Sequence, residues 1–342
     1  MIDDFHLEDA LKAALAGRRV LVTGAGGFIG GHVVEALVAA GAQVRALVRY
    51  NGRNDFGSID ELPGEVKAAI EVVTGDIRDP HQMIRVVEGC DIVLHLAALI
   101  AIPFSYVAPQ SYVETNVSGT LNILEAARLH GTPRVVVTST SEVYGTAIRV
   151  PIDLEHPLQG QSPYSASKIG SDKIAESYFL SFQTPVVTLR PFNTYGPRQS
   201  DRAVIPTIAA QLLAGVETLR LGRIDPVRDF LYVRDTARAF LLAATVPGIE
   251  GRTLHVGTGV GVTIGEVAER LMQLTGHVVP IATESQRLRP DGSEVERLIC
   301  DNSVAAEVLG FQSRVSLGQG LGRVVESVRG RLDRYRPDRY QR

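Results

Sequence analysis

A glycine-rich turn between an apolar run and a helical pattern constrains this chain more than any other feature. Arg19–Thr23 reads RVLVT, Thr23-Gly24-Ala25-Gly26-Gly27-Phe28-Ile29-Gly30 follows, and the helical pattern runs from Ile29 to Ala40. Strand, glycine turn and helix in that order make a cradle for a dinucleotide. Gly24 permits the tight turn, Gly27 lets backbone approach a pyrophosphate, and Gly30 lets the helix pack against the strand. Phe28 and Ile29 open the helix, whose N-terminal N–H groups favour an anion.

The same rhythm recurs. Val44–Val48, Glu71–Val73, Ile92–Leu96, Arg134–Thr138 and Val186–Arg190 are short apolar runs suited to strands covered on both faces. Their alternation with helical segments predicts an α/β fold with a Rossmann-type doubly wound parallel sheet. Beyond Pro191 the rhythm loosens, with short strands at Thr218–Leu221 and Arg252–Val256 and helices at Ile264–Leu274 and Ser303–Leu309. This part is expected to form a smaller mixed α/β C-terminal substrate lobe over the carboxyl edge of the sheet. The chain thus divides into a helical extension (1–17), a dinucleotide-binding domain (18–190), a lobe interleaved with it (mainly 191–330) and a basic tail (331–342). Residues 1–16 are read as a short amphipathic helix, and the tail as frayed and solvated.

Composition removes several function classes. Among 342 residues, 35 basic against 38 acidic side chains give −3, so no global field draws nucleic acid or an anionic membrane. No apolar run reaches the roughly 18 to 20 residues that span a bilayer. The N-terminus is acidic and amphipathic, unlike a secretory signal. Cys90 and Cys300 offer neither a disulfide framework nor metal-ligand spacing, so no metal is expected and a reducing cytoplasm is the default.

Further residues are expected along the dinucleotide. Asp76, with Ile77, follows the third strand and would set a carboxylate against the adenine. Leu96, Ala97 and Ala98 end the fourth strand with little bulk. The tip of the second strand reads Val48-Arg49-Tyr50-Asn51-Gly52-Arg53. A carboxylate there would favour NAD; Arg49 and Arg53, with Asn51 between them, instead point to NADP, with NAD second.

Tyr164 and Lys168 sit one helical turn apart, on one face. The ammonium, with the positive nicotinamide ring, would lower the phenol pKa so that Tyr164 takes a hydroxyl proton and Lys168 supports it. Thr140, ending a strand over 134–140, would hydrogen-bond the same hydroxyl. Glu142, two residues on, adds a carboxylate that a plain alcohol oxidation does not need.

TGAGGFIG, HLAA, TSTSEVYG, SPYSASK, RPFNTYGPR and RDFLYVRD together resemble the extended short-chain dehydrogenase/reductases that modify nucleotide sugars, over about residues 18 to 325. Thr140-Ser141-Glu142 is similar to the triplet of nucleotide-sugar 4,6-dehydratases and UDP-glucuronate decarboxylases. Many dTDP-glucose dehydratases carry Asp at the place of Ser141, whereas GDP-mannose dehydratases carry Ser. The wider run GTAIRVPIDLEHPLQGQSPYSASK, with IAIPFSYVAP and RPDGSEVERLICDNS, most resembles the dehydratases acting on nucleotide-linked N-acetylglucosamine in legionaminic-acid-type pathways. The resemblance implies C4 oxidation with Tyr164 as base, C5 proton removal by Glu142, loss of the C6 hydroxyl with a proton from Glu142 or via Ser141, and hydride return to C6. A UDP- or GDP-linked sugar would become its 4-keto-6-deoxy derivative. The alternatives are a UDP-glucuronate decarboxylase, a 4-epimerase (many carry Ser-Ala or Ser-Ser instead) and an NADP-binding sensor without catalysis.

The resemblance also implies that Arg228 and Arg289 hold the nucleotide diphosphate, as suits bidentate guanidinium geometry. Asn193 would contact sugar or phosphate, and Val204 and Leu221 the nucleobase. A homodimer is implied through a four-helix bundle of Tyr112–His130 and Pro163–Ser181 from each subunit.

Overall fold

The computed structural model describes residues 7–337. Its core is one seven-stranded parallel sheet built from β1 (Arg19–Thr23), β2 (Gln43–Arg49), β3 (Ile70–Gly75), β4 (Ile92–His95), β5 (Arg134–Thr138) and β6 (Val186–Pro191), completed by a later strand. Between β6 and that strand come β7 (Asn193–Tyr195), β8 (Leu219–Leu221), β9 (Val227–Arg228) and β10 (Phe230–Tyr232); β11 (Thr253–Val256) then returns to the sheet. The order is β11-β6-β5-β4-β1-β2-β3, which reverses direction at the β1/β4 pair. In such sheets a crevice opens beyond the carboxyl ends at that reversal.

Alternation along each strand sends side chains to opposite layers. On β1, Val20 and Val22 join the core beneath the helices Phe28–Ala39 and Val233–Thr245, with Leu37 and Phe240. Leu21, between them, packs on the other face with Ile123, Val135 and Ala175. Both faces are covered, which explains why these strands read as unbroken apolar runs. A separate core, with Ile208, Leu219, Leu271 and Leu321, fills the smaller lobe.

Local findings refine the sequence expectations. The expected helix Tyr112–His130 is broken: a π-helical stretch over Val113–Ser118 precedes Gly119–His130. The Asn116 carbonyl there accepts from the hydroxyls of Thr120 and Ser171, both at 2.6 Å, so side chains occupy a site on the helical ladder. β5 stops at Thr138, not Thr140, and Thr140 instead caps a 3₁₀ turn over Ser141–Tyr144. The N-terminal helix covers Asp9–Leu15; the part of that expectation at residues 1–6 lies outside the described residues.

The tail differs most. Instead of fraying from residue 331, Arg331 and Arg334 both pair with Glu61. Tyr335 donates its hydroxyl to the Gln199 carbonyl at 3.2 Å, and the Arg336 N–H donates to Asp201. Residues 338–342 lie outside the description. Among the described residues no helix is long and apolar enough to cross a membrane.

Candidate active site

A cavity of about 860 Å³ opens at the carboxyl edge of the sheet and collects most of the residues singled out above. Its floor is the glycine turn. Gly24 has φ +70°, and a Cβ there would stand 2.7 Å from the Ala97 nitrogen; a Cβ on Gly30 would stand 2.2 Å from the Gly24 carbonyl oxygen. Side chains are therefore excluded by the turn and by helix packing. Gly27 is the N-cap of the helix Phe28–Ala39 and supplies no side-chain cap, which leaves the first N–H groups to a ligand. Phe28, Ile29, Ile77, Leu96, Ala97 and Ala98 line the walls above this turn. Volume, glycine cradle and uncapped helix end fit a dinucleotide.

At the adenine end Arg49, Asn51 and Asp76 line the cavity, and so does Asp55. The Asp76 carboxyl is held below its ordinary range first by its hydrogen bonds from Arg78, with Arg49 a smaller contributor. Arg53 does not line the cavity. The Asn51 side chain accepts from the Arg53 and Asp55 N–H groups and donates to the Asp55 carbonyl, which closes a turn whose tip carries Arg53 into solvent.

At the other end stand Thr140, Ser141, Glu142, Tyr164 and Lys168. The helix Pro163–Phe182 starts with a capping box between Ser162 and Ser165, which fixes its first turn and hence Tyr164. The Tyr164 ring meets Tyr112 edge-on at 6.2 Å. Burial raises the phenol pKa, the Thr140 hydroxyl bond lowers it, and the Glu142 charge raises it again. Lys168, also buried, is lowered to about 8 by desolvation, which Asp172 opposes. Its ammonium donates to the Thr138 carbonyl at 2.5 Å. Tyr164 thus holds its proton until further positive charge arrives beside it.

Glu142 enters from the 3₁₀ turn, its N–H donating to the Thr140 hydroxyl at 3.2 Å. Its carboxylate stands 3.7 Å from the Arg289 guanidinium, and both line the cavity. Asn193 lines it too, and its buried Oδ1 has no hydrogen-bond partner, as expected of a group awaiting a ligand.

Three expected substrate contacts do not line the cavity. Arg228 is buried off the cavity, donating to the Val227 carbonyl at 3.0 Å and standing 3.5 Å from Glu294. Burial, the leading cause, lowers its pKa. Leu221 is buried in the lobe core, because β8 pairs there with the strand Ile281–Thr283. Val204 packs against the same core at the start of a helix, and its neighbours Arg202 and Ala203 face the cavity instead. Gln199, Ser200 and Thr115 also line it, and no motif in the sequence marks them. Only the polar GPRQSDR stretch after β7 hinted at a loop on the carboxyl edge.

The family model described as GDP-mannose 4,6 dehydratase matches residues 21–324. A UDP-glucose 4-epimerase of Mycolicibacterium smegmatis is 33% identical, covering 92% of this chain and 99% of that protein. A UDP-N-acetyl-alpha-D-glucosaminuronate decarboxylase of Bacillus cytotoxicus is 32% identical, covering 91% and 98%. The solved structure of the dTDP-glucose 4,6-dehydratase DesIV of Streptomyces venezuelae, with NAD bound, superposes with a TM-score of 0.82 at 32% identity, covering 93% and 99%.

Proposed function

Since the chain belongs to the GDP-mannose 4,6 dehydratase family, which holds nucleotide-sugar dehydratases, epimerases and decarboxylases among its relatives, we propose that it is a nucleotide-sugar 4,6-dehydratase acting on a UDP- or GDP-linked N-acetylglucosamine. One observation carries this reading: the Glu142 carboxylate shares a single cavity with Thr140, Tyr164 and Lys168. A 4-epimerase needs only the Tyr and Lys. A carboxylate beside them adds a base for a carbon acid.

When bound, the nicotinamide supplies an acceptor for the C4 hydride and a donor that returns it at C6. Tyr164 takes the C4 hydroxyl proton, with Thr140 orienting that hydroxyl and Lys168 stabilising the phenolate. Once C4 is a ketone, the C5 proton is acidic and Glu142 removes it. Glu142 then gives that proton to the departing C6 hydroxyl, which leaves as water, with Ser141 beside it in the cavity. A solvent proton taken up at C5, with release of the proton that Tyr164 took from the C4 hydroxyl, completes the 4-keto-6-deoxy sugar. Arg289, Asn193 and Arg202 are proposed to hold the diphosphate end.

Between the two dinucleotides, we propose NAD. The NADP expectation rested on Arg49 and Arg53, and Arg53 is off the cavity. Arg49 shares its charge with Asp76, and the Asp55 carboxylate faces the same end, where a 2′-phosphate would be repelled. A homodimer through the helices around 119–130 and 163–182 is retained as a proposal, supported by exposed Leu121, Leu129, Leu180 and Phe182 on their surfaces.

The test is incubation with UDP-N-acetylglucosamine, GDP-N-acetylglucosamine and UDP-glucuronate in parallel. Loss of one water from an acetylglucosamine substrate supports the dehydratase. Release of CO₂ from the uronate, with no dehydration, supports the decarboxylase, the second reading that the Thr-Ser-Glu triplet allows.

A further inference from the structure

The turn that carries Glu142 is tied to the helix that carries Tyr164 by a buried polar chain behind the cavity. Tyr144, at the end of that turn, is fully buried, and its hydroxyl meets two groups at 2.5 Å: Arg190 Nη1 and His255 Nε2. Arg190 turns its other donors to Asp172, with Nε at 3.1 Å and Nη2 at 2.8 Å from Oδ2. The same oxygen accepts from Ser139 at 2.7 Å, just ahead of Thr140. Asp172 lies one turn beyond Lys168 on the helix Pro163–Phe182.

Arg190 can only donate, so the Tyr144 oxygen accepts from it and its O–H must point elsewhere. His255 is the only other partner of that hydroxyl among the described residues. Burial and the Arg190 charge lower the His255 pKa to about 4, so its ring is neutral; with the Tyr144 O–H turned to Nε2, the ring proton sits on the buried Nδ1. His255 and Arg190 are paired residues on β11 and β6. The Tyr144 hydroxyl is therefore satisfied on both sides by rigid sheet positions, and the guanidinium also stacks 5.2 Å from its ring centre. The Glu142 carboxylate, by contrast, meets only the loose Arg289 contact among the described residues, while its backbone is held by the Thr140 hydroxyl and the Gly145 N–H.

We infer that Tyr144, fixed by Arg190 and His255, is a positioning residue that sets the Glu142 carboxylate against the C5 proton of the sugar held by Tyr164. What Glu142 does there rests on the dehydratase reading; where it stands does not. Misplacing a reacting group by about 1 Å can cost about 100-fold. The loss should fall mainly on the elimination steps, because Tyr164 and Lys168 have further holds outside this chain, in the capping box at Ser162 and the Thr138 carbonyl.

Tyr144→Phe and Arg190→Lys test this. The first removes the hydroxyl and keeps the ring; the second keeps the charge beside Asp172 but lacks the fork that reaches Tyr144. Single-turnover measurements would follow cofactor reduction (C4 oxidation) separately from loss of water. Both variants are expected to dehydrate about 10- to 100-fold more slowly, to oxidise C4 within about twofold of the parent rate and to accumulate reduced cofactor. A crystal structure of each variant should show the Glu142 carboxylate displaced relative to the Tyr164 hydroxyl. Equal loss in both steps, or no loss with Glu142 unmoved, would overturn the inference. If the parent protein makes no 4-keto-6-deoxy product, the dehydratase reading fails, and the position of Glu142 in the variant structures still decides the positioning claim. If Tyr144→Phe does not fold, Arg190→Lys probes the same link from the sheet side.

Discussion

Glu142 Oε2 stands 3.7 Å from Nη1 of Arg289, too far for a hydrogen bond, and that buried Nη1 has no hydrogen-bond partner among the described residues. The group proposed to move protons and the group proposed to hold phosphate are thus paired loosely across one cavity. A phosphate oxygen would satisfy Nη1 and leave the carboxylate to the sugar. Removing a bond to a charged group costs about 1.5–3 kcal/mol. Arg289→Ala is therefore expected to raise KM for the nucleotide sugar about 10- to 100-fold. An unchanged KM would remove Arg289 from the diphosphate site.

Glu142→Gln keeps the shape of the side chain and removes its basicity. Turnover is expected to fall by about 10²- to 10⁴-fold, the usual worth of a positioned acid–base group, while cofactor reduction continues. Tyr164→Phe should abolish cofactor reduction as well. Full turnover in the glutamine variant would exclude Glu142 from the mechanism, and normal reduction in the phenylalanine variant would exclude Tyr164 as the base.

Arg49→Ala addresses the dinucleotide. With NAD as the cofactor, the ratio of NAD to NADP affinity, measured by titration calorimetry, should change by less than about threefold, because no direct bond to a 2′-phosphate is lost. A selective loss of NADP binding of tenfold or more would restore the sequence-based expectation.

His255 makes a stability prediction. Its pKa is about 4 in the folded chain against an ordinary value of 6.5. Between those values the unfolded chain binds the extra proton. Stability from this residue is fully present above about 6.5 and is lost as pH falls toward 4, by about 3 kcal/mol. Denaturant unfolding at pH 7 and pH 4.5 should show His255→Gln less stable than the parent at pH 7 and less sensitive to acid. An equal acid loss in both would place the sensitivity elsewhere.

Much of the architecture could be read from local pattern. The inner strands β1, β4, β5 and β6 are buried on both faces, so each shows itself as an apolar run, and the glycine turn declares its own context. Thr140, Glu142, Tyr164 and Lys168 could be grouped because their spacing carries chemistry. What stayed hidden depends on distant partners. Tyr144 meets Arg190 and His255 across 46 and 111 positions, and nothing local marks a tyrosine as a buried strut. Glu61 captures Arg331 and Arg334 across 270 and 273 positions, so a segment with the composition of a solvated tail is docked. The lobe strands are two or three residues long, too short for periodicity, so no local pattern marks Leu221 as a residue of the lobe core.

The central claim is that two groups on one sugar act in turn, with hydride leaving C4 and returning at C6. UDP- or GDP-N-acetylglucosamine deuterated at C4 tests it directly, with the label located by NMR after turnover in ordinary water. The prediction is deuterium at C6 of a 4-keto-6-deoxy sugar. Deuterium retained at C4, in a mixture of epimers or in unchanged substrate, would contradict it.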